Sequence, residues 1–94
     1  MQPVKDKPSE YFTLVQRIIA DTSGIDVEDI HDDDELLFDL NIDMMYEFPV
    51  IIRRIEAEIS NPDEDVVHKL PLDRVRKCND VMDLVELVEE VAEE

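Results

Sequence analysis

Three groups of residues hold the ligating and reactive side chains of this chain. The first is His31, Asp32, Asp33 and Asp34, an imidazole followed by three carboxylates. Oxygen-rich runs suit hard divalent cations, but this one lacks the central glycine and distal glutamate of an EF-hand loop. It reads as a solvated acidic loop with at most weak divalent-ion binding, and no metal is expected. The second group is His68 and Cys78. Neither has zinc-ligand spacing to the other or to His31. Cys78 falls on an apolar stripe. The third is DLNIDMMYEF, Asp39–Phe48, where an aspartate precedes two methionines at the entrance to a helix. Two readings stand for it. Asp43 caps the helix and Met44 is an ordinary surface methionine, or Met44, Met45, Tyr46 and Phe48 form a protein-binding patch, a use that suits the adaptable thioether. No Ser-His-Asp or Cys-His arrangement is recoverable, and no glycine-rich loop is present to cradle phosphate. The chain reads as a non-enzyme.

The elements that must position these residues are helical. Ninety-four residues make one domain. With a single glycine, the chain is poorly supplied for the turns of an all-β protein. Ser9 can cap a first helix, with Tyr11, Leu14, Val15 and Ile18 as its stripe and Phe12 and Ile19 widening it. Gly24 is the natural stop, and Ile25 can fold back on Ile19 or Ala20. Asp26–Asp39 is a long acidic connection. Val27, Ile30, Leu36, Leu37 and Leu40 are expected to pin it across the core, and Phe38 reads as core with Tyr11 and Phe12. Phe48, Ile51, Ile52, Ile55 and Ile59 define a second helical face. Pro49 permits either a start near Glu47 or Phe48, or a start near Met44 with a bend at the proline; the bend is favoured. Ser60–Lys69 is a break marked by Asn61-Pro62. Pro71 opens a short third helix. Asn79 or Asp80 caps the last one, whose buried stripe is Val81, Leu84, Val85, Val88 and Val91. Its acidic C-terminus opposes the helix dipole, so fraying is expected there. Residues 1–8 read as a flexible N-terminal arm and 9–94 as the helical domain.

Charge narrows the partners. Twenty-six acidic against 9 basic residues give a net charge of −17. Phosphate backbones and anionic membranes both call for Lys and Arg, so neither is an expected partner. A basic protein patch is. The polar first residues do not resemble a signal peptide, no apolar run is long enough to span a membrane, and the lone cysteine fits a reducing compartment. A cytoplasmic protein is expected. Its oligomeric state is open.

Four stretches resemble the acyl carrier protein family. FTLVQRIIADTSGIDVEDI (Phe12–Ile30) looks like its first helix and the start of its loop. DELLFDLNIDMM (Asp34–Met45) looks like the end of that loop, where the family has an apolar pair, Asp-Leu, a glycine and then Asp-Ser-Leu. RRIEAEI (Arg53–Ile59) looks like the end of its acidic second helix. LPLDRVRKCNDVMDLVELV (Leu70–Val88) looks like its short third and last helices. The likeness covers about residues 10 to 89. It implies an all-α, small four-helix bundle with a long first loop and a short third helix. It also implies a phosphopantetheine-bearing serine, but Met44 stands at that position and has no hydroxyl to carry a phosphodiester. The family docks basic patches with an acidic second helix; here Arg53 and Arg54 mix the charge around Glu47, Glu56 and Glu58. Asn41 stands for the family's glycine, a mild change. Pro49 and a longer Ser60–Lys69 connection are further departures.

The expected function is a carrier-like interaction module that holds no phosphopantetheine and binds an enzyme of acyl-chain metabolism as scaffold, regulator or decoy. Its expected surface is Asp43, Met44, Met45 and Glu47 with Asp32, Asp33 and Asp34 of the loop. The alternatives are a true acyl carrier in fatty acid or polyketide-type biosynthesis, carrying phosphopantetheine in another register, and a helical bundle unrelated to acyl chemistry.

Overall fold

A computed structural model describes residues 10–93. The N-terminal arm and the Ser9 cap lie outside them. Among the described residues the secondary structure is four α-helices with two short 3-10 turns, and no strand forms beyond two isolated bridges. The order is α1 (Glu10–Ser23), α2 (Glu47–Ile59), α3 (Leu72–Val75) and α4 (Val81–Ala92). Helix α1 packs against both α2 and α4, while α3 leans on α4.

The core follows the apolar spacing of each helix. Val15, Ile18 and Ile19 of α1 meet Phe48, Ile51 and Ile55 of α2, and Val81, Leu84, Val85, Val88 and Val91 of α4, in one buried cluster. Leu87 joins them and widens the α4 stripe beyond its expected members. Burying one such side chain is worth about 1.5–3 kcal/mol over leaving it exposed, so these three faces dominate the stability of a short chain. Gly24 ends α1 at φ +74, and its N–H returns to the Ala20 carbonyl at 2.9 Å. A left-handed residue is needed there, and glycine adopts it without strain.

Helix α2 corrects the favoured expectation. Its regular turns begin at Glu47, so Pro49 lies in the first turn and no bend is required. A first-turn residue has no intrahelical acceptor for its N–H, so proline loses no hydrogen bond there.

The acidic connection is pinned, but by fewer side chains than expected. Ile30, Leu36, Leu40 and Ile42 are buried, whereas Val27 and Leu37 face outward. Backbone pairing decides this. Gln16 Nε2 donates to the carbonyls of Val27 (2.8 Å) and Ile30 (2.9 Å), which fastens the 3-10 turn Val27–Asp29 to α1 by its main chain. The N–H groups of Asp39 and Leu40 both return to the Glu35 carbonyl at 3.0 Å. That tight turn sends Leu36 and Leu40 inward and leaves Leu37 and Phe38 outside. Phe38 is 80% exposed and is not part of the core.

The break after α2 is stitched down. Asn61 and Val66 exchange two backbone hydrogen bonds of 2.8 and 2.9 Å, and Glu56 Oε2 accepts the Leu70 N–H at 2.7 Å. At the far end of α4, Tyr11 Oη donates to Glu93 Oε2 at 2.7 Å, and Arg74 grips Glu90 with both guanidinium nitrogens at 2.6 and 2.8 Å. Two carboxylates that oppose the α4 dipole are therefore tied to other elements, and the helix runs to Ala92. No helix of the described residues is long and apolar enough to cross a membrane.

Candidate functional site

The candidate site is the turn that leads into α2. Asp43 Oδ1 accepts the N–H groups of Met45 (2.8 Å) and Tyr46 (3.1 Å), and Glu47 Oε1 reaches back to the Asp43 N–H at 3.0 Å. This reciprocal pair resembles a capping box lengthened by one residue. It fixes Met44–Tyr46 as a turn ahead of the regular helix. The N–H groups of Glu47 and Phe48 then both close on the Asp43 carbonyl, at 3.0 and 2.9 Å. Asp43 thus organises the turn through both its side chain and its main chain.

What the turn presents is apolar. Met45 is 76% and Tyr46 74% exposed, and Met44 sits at 36%. Phe48, grouped with them in the sequence reading, is buried instead and anchors the turn from below. Leu37 and Phe38 join the exposed surface from the acidic loop. The Ile42 N–H donates to the Leu36 carbonyl at 3.0 Å, and this bond brings the Leu37–Phe38 turn beside the backbone that leads into Asp43. The sequence hid Phe38 because an aromatic in a loop carries no periodicity to give its direction.

The loop carboxylates have a separate location. The Asp34 carbonyl accepts the Val81 N–H at 3.0 Å and the Asp32 carbonyl the Met82 N–H at 2.9 Å. These are orphan donors of the first turn of α4. Asp34 Oδ2 also accepts the His31 N–H at 2.8 Å and lies 3.4 Å from His31 Nδ1. Asp32 and Asp34 therefore serve the α4 terminus through their main chain, while Asp32 and Asp33 keep exposed side chains. No group of three or more His, Cys, Asp or Glu residues that could hold a metal ion occurs among the described residues.

The acidic groups of α2 are committed within the fold. Glu47 holds Asp43, Glu56 holds Leu70, and Glu58 lies 3.7 Å from Arg17. Arg54 bridges to α1 through Asp21 (2.8 Å) and Thr22 (2.9 Å). A cleft of about 170 Å³ between α1 and α2 is lined by Arg17, Asp21, Arg54 and Glu58 over Ile18 and Ala57, and these ion pairs cross it.

Phosphopantetheine does not fit the position after Asp43, because the Met44 thioether offers no oxygen for a phosphodiester. Of the described serines, Ser60 accepts the His68 N–H at 2.9 Å, and Ser23 Oγ is buried without a hydrogen-bond partner. Neither belongs to the turn. Cys78 is half-buried against the core, and its Sγ lies 3.5 Å from the Arg74 carbonyl. Burial first, and the nearby Asp83 carboxylate second, push its pKa up to about 11. The thiolate is scarce at neutral pH, so the thiol is a poor nucleophile there. The site offers an exposed apolar surface edged with carboxylates, suited to recognition. No family model matches the chain, and no curated protein matches it in sequence.

Proposed function

We propose that this chain is an acyl carrier protein-like interaction module that carries no phosphopantetheine. In this reading it is not an enzyme. Its partner is a protein with a basic patch, an enzyme of acyl-chain metabolism, which it serves as scaffold, regulator or decoy. The supporting observation is the turn at residues 43–46. An aspartate shapes a protruding entrance to α2, and thioethers and a phenol ring lie on it, with Met45 and Tyr46 about three-quarters exposed. An exposed apolar patch edged with charge is a usual mark of a protein-binding surface. The carrier likeness itself rests on the order and spacing of the sequence motifs.

The test combines modification with capture. The wild-type chain, incubated with a phosphopantetheinyl transferase and coenzyme A, is expected to keep its mass. Met44→Ser is expected to gain one phosphopantetheinyl group. Modification of the wild type would contradict the proposal, and an inert Met44→Ser would remove the carrier likeness from it. Carrier-dependent enzymes retained by the wild-type bait and lost by Met45→Asp would support the docking surface.

A further inference from the structure

The cations of this acidic chain are unevenly used. Among the described residues, Arg17, Arg54 and Arg74 are in ion pairs, whereas Arg53, Lys69, Arg76 and Lys77 are in none. Three of these unpaired cations fall in Lys69–Lys77, KLPLDRVRK, and all three are exposed. Leu72, on the same segment, is 62% exposed, and Val67 just before it is 67% exposed. The Arg76 N–H returns to the Leu72 carbonyl at 3.0 Å, so Leu72 and Arg76 stand one turn apart on one side of α3. The segment is a basic, apolar face on a chain of net charge −17.

Its complement lies on the same molecule. Phe38, Met45 and Tyr46 are exposed, with Asp39 and Asp43 between them. The two faces do not cover one another in the fold: Phe38, Met45 and Tyr46 on one side and Leu72, Arg76 and Lys77 on the other are all exposed.

We infer that the acidic apolar turn before α2 docks on the basic α3 segment of a second copy of this chain, head to tail. A contact between two different faces repeats from copy to copy and does not close at a dimer. Net repulsion does not forbid it. The described residues measure 37 × 35 × 22 Å, whereas the screening length is about 8 Å at 0.15 M salt. Repulsion between whole bodies is damped over that distance, and pairs in direct contact are not. At 0.01 M salt the screening length of about 30 Å is comparable to these dimensions and repulsion prevails; near 1 M it falls to about 3 Å and the contact pairs weaken too. Association then peaks at intermediate salt. The contact would also cover the surface assigned above to a partner, so self-association would regulate access to it. The inference rests on that surface and not on acyl chemistry.

Sedimentation of the full chain at concentrations on the order of 0.1–1 mM, the range of weak small interfaces, tests it. The mean mass is expected to climb above 11.0 kDa with concentration, most at intermediate salt. Phe38→Asp alone and Arg76→Gln with Lys77→Gln are each expected to stay monomeric. Mixed, each supplies the face the other lacks, and they are expected to stop at a one-to-one complex. Arg53→Glu shifts the net charge as far as the paired glutamines and is expected to associate like wild type. Circular dichroism melting confirms that each variant is folded. A wild type that stays monomeric at every salt overturns the inference. So does association that rises steadily with salt, or that survives the loss of Arg76 and Lys77. The phosphopantetheine result on Met44→Ser is independent of all these outcomes.

Discussion

Helices α2 and α4 both open behind an aspartate, and the two openings are put to opposite ends. At α4, Asp80 Oδ1 accepts the Asp83 N–H at 2.9 Å, and Asp83 Oδ2 accepts the Asn79 N–H at 3.0 Å. The acidic loop then closes over this start: Leu36 donates to the Asn79 carbonyl at 2.9 Å, and Asp32 and Asp34 accept the first helical N–H groups. The first helical residue, Val81, is wholly buried. At α2, Asp43 makes similar bonds, but the turn it supports stays outside, and the first buried residue is Phe48. The same cap chemistry seals a core in one case and holds an apolar turn in solvent in the other. What differs is whether another segment covers the terminus.

The largest expected contrast comes from truncating one apolar side chain in each region. Leu84 is fully buried one turn into α4, so Leu84→Ala is expected to cost about 2–5 kcal/mol, transfer and cavity terms together. Met45→Ala removes a side chain that the core does not use and is expected to stay within about 0.5 kcal/mol of wild type. Urea unfolding of both variants checks the pair. A Met45 loss as large as that of Leu84 would mean that the turn is structural.

The caps should differ by less. Asp80→Ala removes a bond at the start of the most buried helix and is expected to cost about 1–2 kcal/mol, in the upper part of the range for capping residues. Asp43→Ala is expected to cost about 0.5–1 kcal/mol, because the regular turns of α2 begin only at Glu47. Amide exchange should sharpen this. The loss of Asp43 is expected to expose the Met45 and Tyr46 amides selectively, and the loss of Asp80 to loosen the α4 start together with residues 32–36.

Much of the fold was legible because its signals are local. Gly24 ended α1 where a lone glycine after an apolar stripe should, and Val81, Leu84, Val85, Val88 and Val91 were buried as their spacing required. The acidic connection was half legible. Leu36 and Leu37 are equally apolar, and the tight turn closed on the Glu35 carbonyl, held in place by the backbone bond from Leu36 to distant Asn79, selects which of them faces in. A contact of such sequence separation leaves no pattern in the segment itself. The same limit applied to the site. Asp43 was readable as a cap and Met44–Tyr46 as an apolar entrance, but Phe38 was not readable as exposed. Nor could the sequence show that Glu47, Glu56 and Glu58 each serve a partner inside the fold.

The start of α2 permits a test of sign as well as size. If the helix ran from Met44 through a bend, Pro49 would sit in its interior, and Pro49→Ala would stabilise the protein by as much as about 3 kcal/mol. With Pro49 in the first turn, its fixed φ costs nothing in the native state and restricts the unfolded chain. Pro49→Ala is then expected to destabilise by about 0.4–1 kcal/mol. Thermal unfolding at matched pH decides between the two signs.

The last expected effect is alkaline, and it also separates the two regions. The Tyr11 hydroxyl, bonded to Glu93, is pushed up from 10.0 to about 12 by that hydrogen bond first, then by burial and by the Glu93, Glu10 and Glu89 charges. The Cys78 thiol is raised from 9.0 to about 11. Both folded-state values lie above the unfolded ones, so the folded chain holds these protons more tightly. Their contribution is fully present below the unfolded pKa and fades as pH rises, between about 9 and 11 for Cys78 and between 10 and about 12 for Tyr11. Both groups adjoin α4, Tyr11 at its C-terminal end and Cys78 just ahead of its start. Raising the pH from 8 to 11 should therefore loosen contacts along α4 before it disturbs the Asp43 turn. Cys78→Ala is expected to remove the lower part of that pH dependence and Tyr11→Phe the upper part. Melting temperatures followed across the range, with amide exchange at Val81–Ala92 and Met44–Tyr46, would show it. Loss of the Asp43 turn ahead of α4 would reverse the order of stability that the two helix openings imply.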